Sequence, residues 1–453
     1  MTVHEEHAQF LAVSAALEAR GFSRWNFDMG RIQALLELMG DPQKSFRAIH
    51  ITGTNGKTST ARMIESLLRA HGLRTGRYTS PHLDSVRERI SVDGEPIDEG
   101  RFTALFHEIA PLARLVDERF DESMTYFELT TALAFGAFAD APVDVAVVEV
   151  GLGGEEDATN VLGAEVAVAT PIDIDHVRWL GETLTDIATA KAGIVHAGAN
   201  LVTATQDPEA MIPLVERCHA VGAGLVAQGR KFDLGDRKLA VGGQQLSIQG
   251  PAGSVYDGVF LPLHGAHQAQ NAAVALAATE MLLGAGEPKT LDGDVVAEGF
   301  ADVTSPGRLE RVRTAPVVLL DSAHNPAGMA ATVAAIEEEF GFRRLIAVVG
   351  VFGDKDAAGM LRLLRPVVDH LVLTESASER SQPVAALARA AAEVFDDDEV
   401  TVMPRLPDAI EAAVTLAEEG EAAYGGAGVL ITGSVHTAGE ARKLLVRRGE
   451  TGE

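Results

Sequence analysis

The apolar run Ala48-Ile-His-Ile51 is joined to a helical pattern beginning near Ser59 by Gly53-Thr-Asn-Gly-Lys-Thr58. A strand, a glycine turn and a helix in that order commit this stretch to a β-loop-α unit of a parallel sheet. The turn exposes successive backbone N–H groups at a helix N-terminus, an arrangement that cradles phosphate oxygens. Lys57 adds a full positive charge, and the Thr58 hydroxyl is of the type that ligates an accompanying Mg2+. The general phosphate-loop pattern asks for an earlier glycine at position 51, which is Ile here, so the loop is a shortened form. The alternative, a glycine turn beside a solvated lysine, fits the strand-loop-helix context poorly.

Around this unit, short apolar runs alternate with helical patterns, as in a mainly parallel sheet. Strands are predicted at Ala48–Thr52, Gly76–Thr79, Val143–Val150 and Glu165–Thr170, and helices at Ser59–Ala70, Tyr126–Ala139, Thr183–Ala192 and Pro208–Ala220. From Lys231 to Gly258 the glycine-rich, alternating texture predicts a small antiparallel hairpin region, followed by a helix from Gln270 to Leu283. After Ser305-Pro-Gly307 a second αβ series begins, with strands at Val317–Asp321, Leu345–Val349, His370–Leu373 and Val429–Thr432. Its helices lie near Met329–Glu339, Ala357–Leu364, Pro383–Ala392 and Asp408–Glu418. The boundary falls near residues 303–307, giving domains of residues 1–303 and 304–453 with a ligand cleft between them.

Charge narrows the partners. Lys+Arg 38 against Asp+Glu 65 gives a formal net charge of -27, which repels nucleic acid and anionic membrane. An anionic small ligand must then be held by locally concentrated N–H groups, Lys, Arg or metal. No apolar run approaches the ~18–20 residues that span a bilayer. The start, Met1-Thr-Val-His-Glu-Glu6, lacks a secretion signal, and the single cysteine, Cys218, fits a reducing cytoplasm. Cys218 itself reads as a small buried apolar residue.

Several polar clusters follow predicted strands, where αβ folds bind ligands. Ser80-Pro-His82 offers a hydroxyl for a metal or a turn cap. Glu149, in Val147-Val-Glu-Val-Gly-Leu-Gly-Gly154, needs a cation or hydrogen-bond donors if buried; a structural salt bridge is the alternative. Asp173-Ile-Asp-His176 suits metal binding or catalysis about as well as a hydrogen-bonded structural histidine. Lys191, within Ala190-Lys-Ala-Gly193, reads on its own as a solvated helical lysine. Asp321-Ser-Ala-His-Asn325-Pro, with Arg308 before it, reads as a ligand site, because a simple Asx turn leaves His324 unexplained. Together the clusters suit transfer of a γ-phosphoryl group to an acceptor inside a closing cleft.

These stretches, with Asp157-Ala-Thr-Asn160, Lys191-Ala-Gly-Ile194, Pro306-Gly-Arg-Leu-Glu310 and Thr432-Gly-Ser434, resemble the folylpolyglutamate synthase/dihydrofolate synthase family over almost the whole chain. That family belongs to the Mur-ligase-like amide ligases, whose phosphate loop is similarly short. The resemblance implies an α/β fold: a P-loop-type, mainly parallel sheet domain for ATP and folate, then a smaller Rossmann-like α/β glutamate-ligase domain. It implies an ATP-dependent ligase that phosphorylates a folate or dihydropteroate carboxylate and lets the amine of L-glutamate attack the acyl phosphate. ATP would be held by Gly53, Thr54, Asn55, Gly56, Lys57 and Thr58, with Asn271 and Arg308. Mg2+ would be held by Thr58, Ser80, Glu149 and His176, with K+ as a further cation. Lys191 matches the family lysine that becomes a carbamate, and Lys57, Lys191, Asp321 and His324 are the implied catalytic residues. Phe127 and Asp157 match folate positions; Asp321, His324, Ser434 and His436 match glutamate positions. A cytoplasmic monomer completes the family picture.

Departures from the family pattern bear on substrate preference. Glu155-Glu156 replace an arginine after Gly153-Gly154, which should weaken or move folate, Ala190 replaces a glutamate, and His436 stands where tyrosine is common. Two alternatives follow: a catalytically altered nucleotide-binding homologue, which the intact Lys57, Glu149, His176 and His324 oppose, and a Mur-type peptide ligase. The latter needs a UDP-sugar domain before the phosphate loop, and the loop begins at Gly53.

Overall fold

A computed structural model describes residues 3–21, 28–284, 290–419 and 426–449. The chain builds a large sheet, a small one and a third of intermediate size. The large sheet has eight strands in the order Glu95–Pro96, Ile90–Val92, Thr75–Tyr78, Val145–Glu149, Arg47–Thr52, Val166–Ala169, Asn200–Thr203, Gly224–Ala227. The six strands from Thr75–Tyr78 onward pair in parallel, while the two at the opposite edge run antiparallel. Strands covered on both faces read as unbroken Val, Ile and Ala. Arg47–Thr52, at the sheet's middle, is buried at every position but the first.

Helix Lys57–Ala70 packs against helices Ala266–Leu283 and Gly293–Ala301. The alanine-rich helix Ala266–Leu283 is apolar nearly all round and is correspondingly buried. Gly299 lets its helix approach closely: a Cβ there would lie 3.0 Å from Leu67 Cα. The predicted hairpin region is a three-stranded antiparallel sheet of Asp233–Ala240, Gly243–Gln249 and Val255–Leu261.

The last sheet has six strands in the order Glu310–Thr314, Val317–Leu320, Ala427–Thr432, Arg344–Val349, His370–Glu375, Val400–Arg405, parallel apart from the first. The four central strands are those the sequence predicts. The edge strands Glu310–Thr314 and Val400–Arg405 have no such signal, because each is solvated and mixed in polarity. Asn200–Thr203 and Gly224–Ala227 are likewise additions, too short to stand out. The carboxyl ends of both parallel sheets face one cleft, so the loops after Thr52, Glu149, Ala169, Leu320, Val349, Glu375 and Thr432 all contribute to it. Among the described residues, no helix is long and apolar enough to cross a membrane.

Candidate active site

The phosphate loop lies where the central strand ends. Gly53 (φ 139°) is pressed against Thr170, and at Gly56 (φ 87°) a Cβ would sit 2.7 Å from Asn271 Oδ1. Neither position tolerates a side chain, which lets backbone N–H groups approach a ligand closely. Lys57 Nζ donates to the carbonyls of Gly53 (3.0 Å) and Thr54 (3.1 Å), curling over its own loop. Desolvation lowers its pKa, against the opposing pull of Glu149 and Asp175. A cavity of about 360 Å³ opens here, lined by all of Gly53–Thr58 with Asn271, Arg308 and Asp321.

Glu149 ends the adjacent strand and is 2% exposed. Its carboxylate accepts from Thr58 Oγ1 (2.9 Å) and from the Ser80 N–H (3.3 Å), both neutral donors. Burial raises its pKa, with Lys57 and Thr58 pulling the other way. Lys191, although carried on a helix, is not solvated: it is 4% exposed and donates to Gly53 O at 2.9 Å. Burial, then the nearby Lys57, lower its pKa to about 7. Its amine is therefore neutral in a large fraction of molecules near neutral pH.

His176 sits in the left-handed region (φ 54°), a conformation that costs a non-glycine residue energy and turns its ring into the cleft. Desolvation lowers its pKa to about 3 and that of His324 to about 4, so both are neutral imidazoles at pH 7. Between them lies Asp175, which joins the two sheets. Its oxygens accept from Lys355 Nζ (2.6 Å) and Asn325 Nδ2 (3.1 Å), and lie 3.9 Å from His176 and 3.8 Å from His324. Burial raises its pKa, but His176 and His324, once protonated in acid, and the Lys355 ammonium outweigh that and hold the carboxyl well below its usual range. Asn325 also exchanges side-chain hydrogen bonds with Asn55 of the phosphate loop (3.3 and 3.1 Å), and its Oδ1 caps the helix Pro326–Glu339.

A second cavity of about 140 Å³ adjoins the first. It combines the aromatic Tyr126, Phe127, Phe352 and His436 with the cationic Arg89, Lys355 and Arg380, and no carboxylate side chain lines it. Arg89 lies over the Tyr126 ring at 5.2 Å, and its Nε donates to His82 Nδ1 at 3.0 Å. Phe127 packs on Tyr78 with ring centroids 5.9 Å apart, and Gly151 is bare enough to lie against it. The two cavities share Ser80, Pro81, Gly151, His176, His324 and Val435.

Three candidate residues have their side-chain oxygens engaged by the protein itself. Asp157 lines neither cavity: its carboxylate holds the N–H groups of Gly151, Leu152 and Thr159 at 2.8–3.0 Å. Asp321 lines only the larger one, and its oxygens are taken by the N–H groups of Leu309 and Ala323 and by Thr332 Oγ1. Ser434 is 1% exposed, bonds Thr437 at 2.8 Å and lines neither cavity. Glu155 and Glu156 are exposed and line neither cavity. Sequence reasoning missed Arg89, Tyr126, Phe352, Lys355 and Arg380. Lys355, in Gly353-Asp-Lys-Asp356 beyond an apolar strand, obeys the strand-end rule applied to the others and was findable; Arg380 carries no such signal.

Comparison with known proteins agrees with this layout. Residues 51–279 match the Mur ligase middle domain, and residues 307–435 the Mur ligase glutamate ligase domain. The chain is 48% identical over 464 residues to a dihydrofolate synthase/folylpolyglutamate synthase of Mycobacterium tuberculosis, covering 98% of this chain and 95% of that one. A structure of Mycobacterium tuberculosis folylpolyglutamate synthase complexed with ADP superposes with a TM-score of 0.93 at 48% identity, covering 97% of this chain and 99% of that one. Escherichia coli FolC in complex with DHPP and ADP gives a TM-score of 0.83 at 29% identity, covering 97% and 98%.

Proposed function

The chain belongs to the folylpolyglutamate synthase/dihydrofolate synthase family of Mur-type ligases, and from that premise we propose how its residues divide the work. It is an ATP-dependent ligase that adds L-glutamate to a folate or dihydropteroate carboxylate. One observation carries the assignment of roles: the phosphate-loop cavity and the aromatic, cationic cavity share a wall at Ser80, His176 and His324. A carboxylate held in the second cavity reaches the γ-phosphoryl group held in the first across that wall.

The Gly53–Thr58 backbone, Lys57 and Arg308 bind the phosphates, and Asn271 contacts the nucleotide. Phe127, with Tyr126, packs on the pteroyl portion. The acceptor carboxylate attacks the γ-phosphorus and ADP leaves; the glutamate amine then attacks the acyl carbon, loses a proton and displaces phosphate. His324 and His436 orient the incoming glutamate. Asp157, Asp321 and Ser434 position the surrounding loops, because their oxygens are already engaged by backbone or hydroxyl donors. Closure of the two domains on the substrates would exclude water from the acyl phosphate.

Mg2+ is part of the proposal. Thr58, Ser80 and Glu149 offer hard oxygen donors, and Glu149 is a buried carboxylate bonded by neutral donors. Among the described residues no group of three or more His, Cys, Asp or Glu is arranged to hold a metal ion by itself. That suits Mg2+, which takes one or two carboxylates and completes its shell with water and phosphate oxygens. His176 adds a lone pair at the shared wall, and Lys191, by taking up CO2 and losing a proton, supplies a further carboxylate. When bound, the metal neutralises phosphate charge in the transfer step. K+, implied by resemblance, is assigned no residue.

Residues 1–303 supply the phosphate loop and the folate contacts, residues 304–453 supply Arg308 to the phosphates and the glutamate contacts; the confinement of the six-stranded sheet to residues 304–453 supports this boundary. A monomeric, cytoplasmic enzyme is part of the same proposal. The test is phosphate release from Mg-ATP with purified protein and dihydropteroate or tetrahydrofolate. Release that requires both acceptor and L-glutamate is expected; ATP binding without release in any combination refutes the assignment.

A further inference from the structure

The second cavity is lined by three cations and no carboxylate side chain although the chain carries a formal net charge of -27, a lining that favours anions. Its cations differ in how they are committed. Lys355 is 6% exposed and pairs with Asp175 at 2.6 Å, and Arg89 stacks on Tyr126 at the first-domain wall. Arg380 stands apart from both. Its Nη2 donates to both oxygens of Asp354 (3.0 and 3.2 Å), and its guanidinium lies 4.7 Å over the Phe352 ring. Phe352 is backed in turn by His436, with centroids 5.3 Å apart.

The backbone fixes this arrangement. Gly353 N–H donates to Arg380 O at 3.0 Å, Gln382 N–H donates to Val351 O at 2.8 Å, and Phe352 bridges Ser381. Two loops from adjacent parallel strands are thus stitched together, and the arginine side chain is clamped on one edge and one face. A guanidinium has five N–H donors, and those not facing Asp354 form a planar fork matched to a carboxylate. At 35% exposed, the group is open to a ligand.

Resting on the ligase function proposed above, we infer that Arg380 determines specificity for the amino-acid substrate by binding the γ-carboxylate of the incoming glutamate. The reacting amine has to reach the wall shared by the cavities. His324 lines both cavities, whereas Arg380 lines only the second, on the side away from the phosphates. The glutamate carboxylate farthest from the amine is the γ one.

The test compares wild type with Arg380→Gln, Arg380→Lys and Asp354→Asn in glutamate-dependent phosphate release, using L-glutamate and L-glutamine. Each is scored on protein whose melting temperature and ADP binding match wild type. Charge-assisted hydrogen bonds are worth about 1.5–3 kcal/mol, so Arg380→Gln should raise KM for glutamate roughly 10–100-fold. The kcat should stay within about threefold, and KM for ATP and folate should not move. The preference for glutamate over glutamine should fall by the same factor, with Arg380→Lys recovering part of it and Asp354→Asn intermediate. An unchanged KM for glutamate, an unchanged preference, or a loss confined to kcat overturns the inference. If Arg380→Gln fails the folding criterion, Arg380→Lys decides: wild-type KM and preference there also overturn it. Absence of glutamate-dependent release in wild type overturns the ligase reading instead.

Discussion

The two cavities of the cleft share a wall yet are built in opposite ways. The larger is built around a backbone loop: glycines pressed against Thr170 and Asn271, and a lysine folded onto its own loop. The smaller is made of side chains, rings and cations gathered from segments as distant as Arg89, Tyr126, Lys355, Arg380 and His436. In the roles proposed above, backbone geometry binds what never changes, a triphosphate, and side chains on separate loops choose what does vary, the acceptor and the amino acid. Substitutions at the first should therefore abolish transfer, and substitutions at the second should redirect or weaken substrate binding.

The sharpest break in this contrast is Lys57→Ala, expected to lower kcat about 10²–10³-fold with folate binding intact, measured by phosphate release and by ligand titration. Lys191→Ala comes next, with a loss of about 10–100-fold that a small added carboxylate partly restores; full activity without it would disprove the carbamate. On the other side, Phe127→Leu should raise KM for the pteroyl substrate up to about tenfold and leave ADP affinity alone, as seen by calorimetry. Asn325→Ser keeps a helix-capping oxygen but loses the amide to Asn55 and Asp175. Steady-state kinetics should show KM rising about fivefold for both ATP and glutamate, with little change in melting temperature.

The smallest effect on turnover, and a clear one on stability, is expected from His50, which lies behind both cavities. Thr159 donates its hydroxyl to Asp157, so it accepts from His50 Nε2 at 2.8 Å, and His50 Nδ1 has no hydrogen-bond partner among the described residues. Burial lowers the His50 pKa from 6.5 to about 3. The unfolded chain then binds a proton that the folded one refuses. Stability is complete above pH 6.5 and is lost as pH falls from there toward 3, by about 2 kcal/mol at pH 5. His50→Gln should make that acid limb shallower in melting curves between pH 7 and pH 5, leaving the share that His176 and His324 contribute.

Legibility in the sequence follows the same division. The phosphate loop, Glu149, His176 and His324 were readable because each lies at or shortly after the end of an apolar strand, a local signal. Asp157, Asp321 and Ser434 were readable as polar residues of interest, but which donors would occupy their oxygens depends on loops folded back on them. Arg89 and Arg380 gain meaning only when two sheets meet, and single cations in loops have no period to betray them. The edge strands escaped for a related reason: with one neighbour and solvent on the other side, Val400–Arg405 has no apolar run to show.

Asn325 stands at a corner where three segments touch: the phosphate loop through Asn55, the His176 loop through Asp175, and the helix Pro326–Glu339 that it caps. Linkage is reciprocal, so any preference that a nucleotide has for one setting of this amide is returned in equal measure to whatever binds beside His324. Under the proposed roles, affinity for ATP and affinity for the amino acid are then coupled through this one contact, and neither sheet owns a dissociation constant of its own.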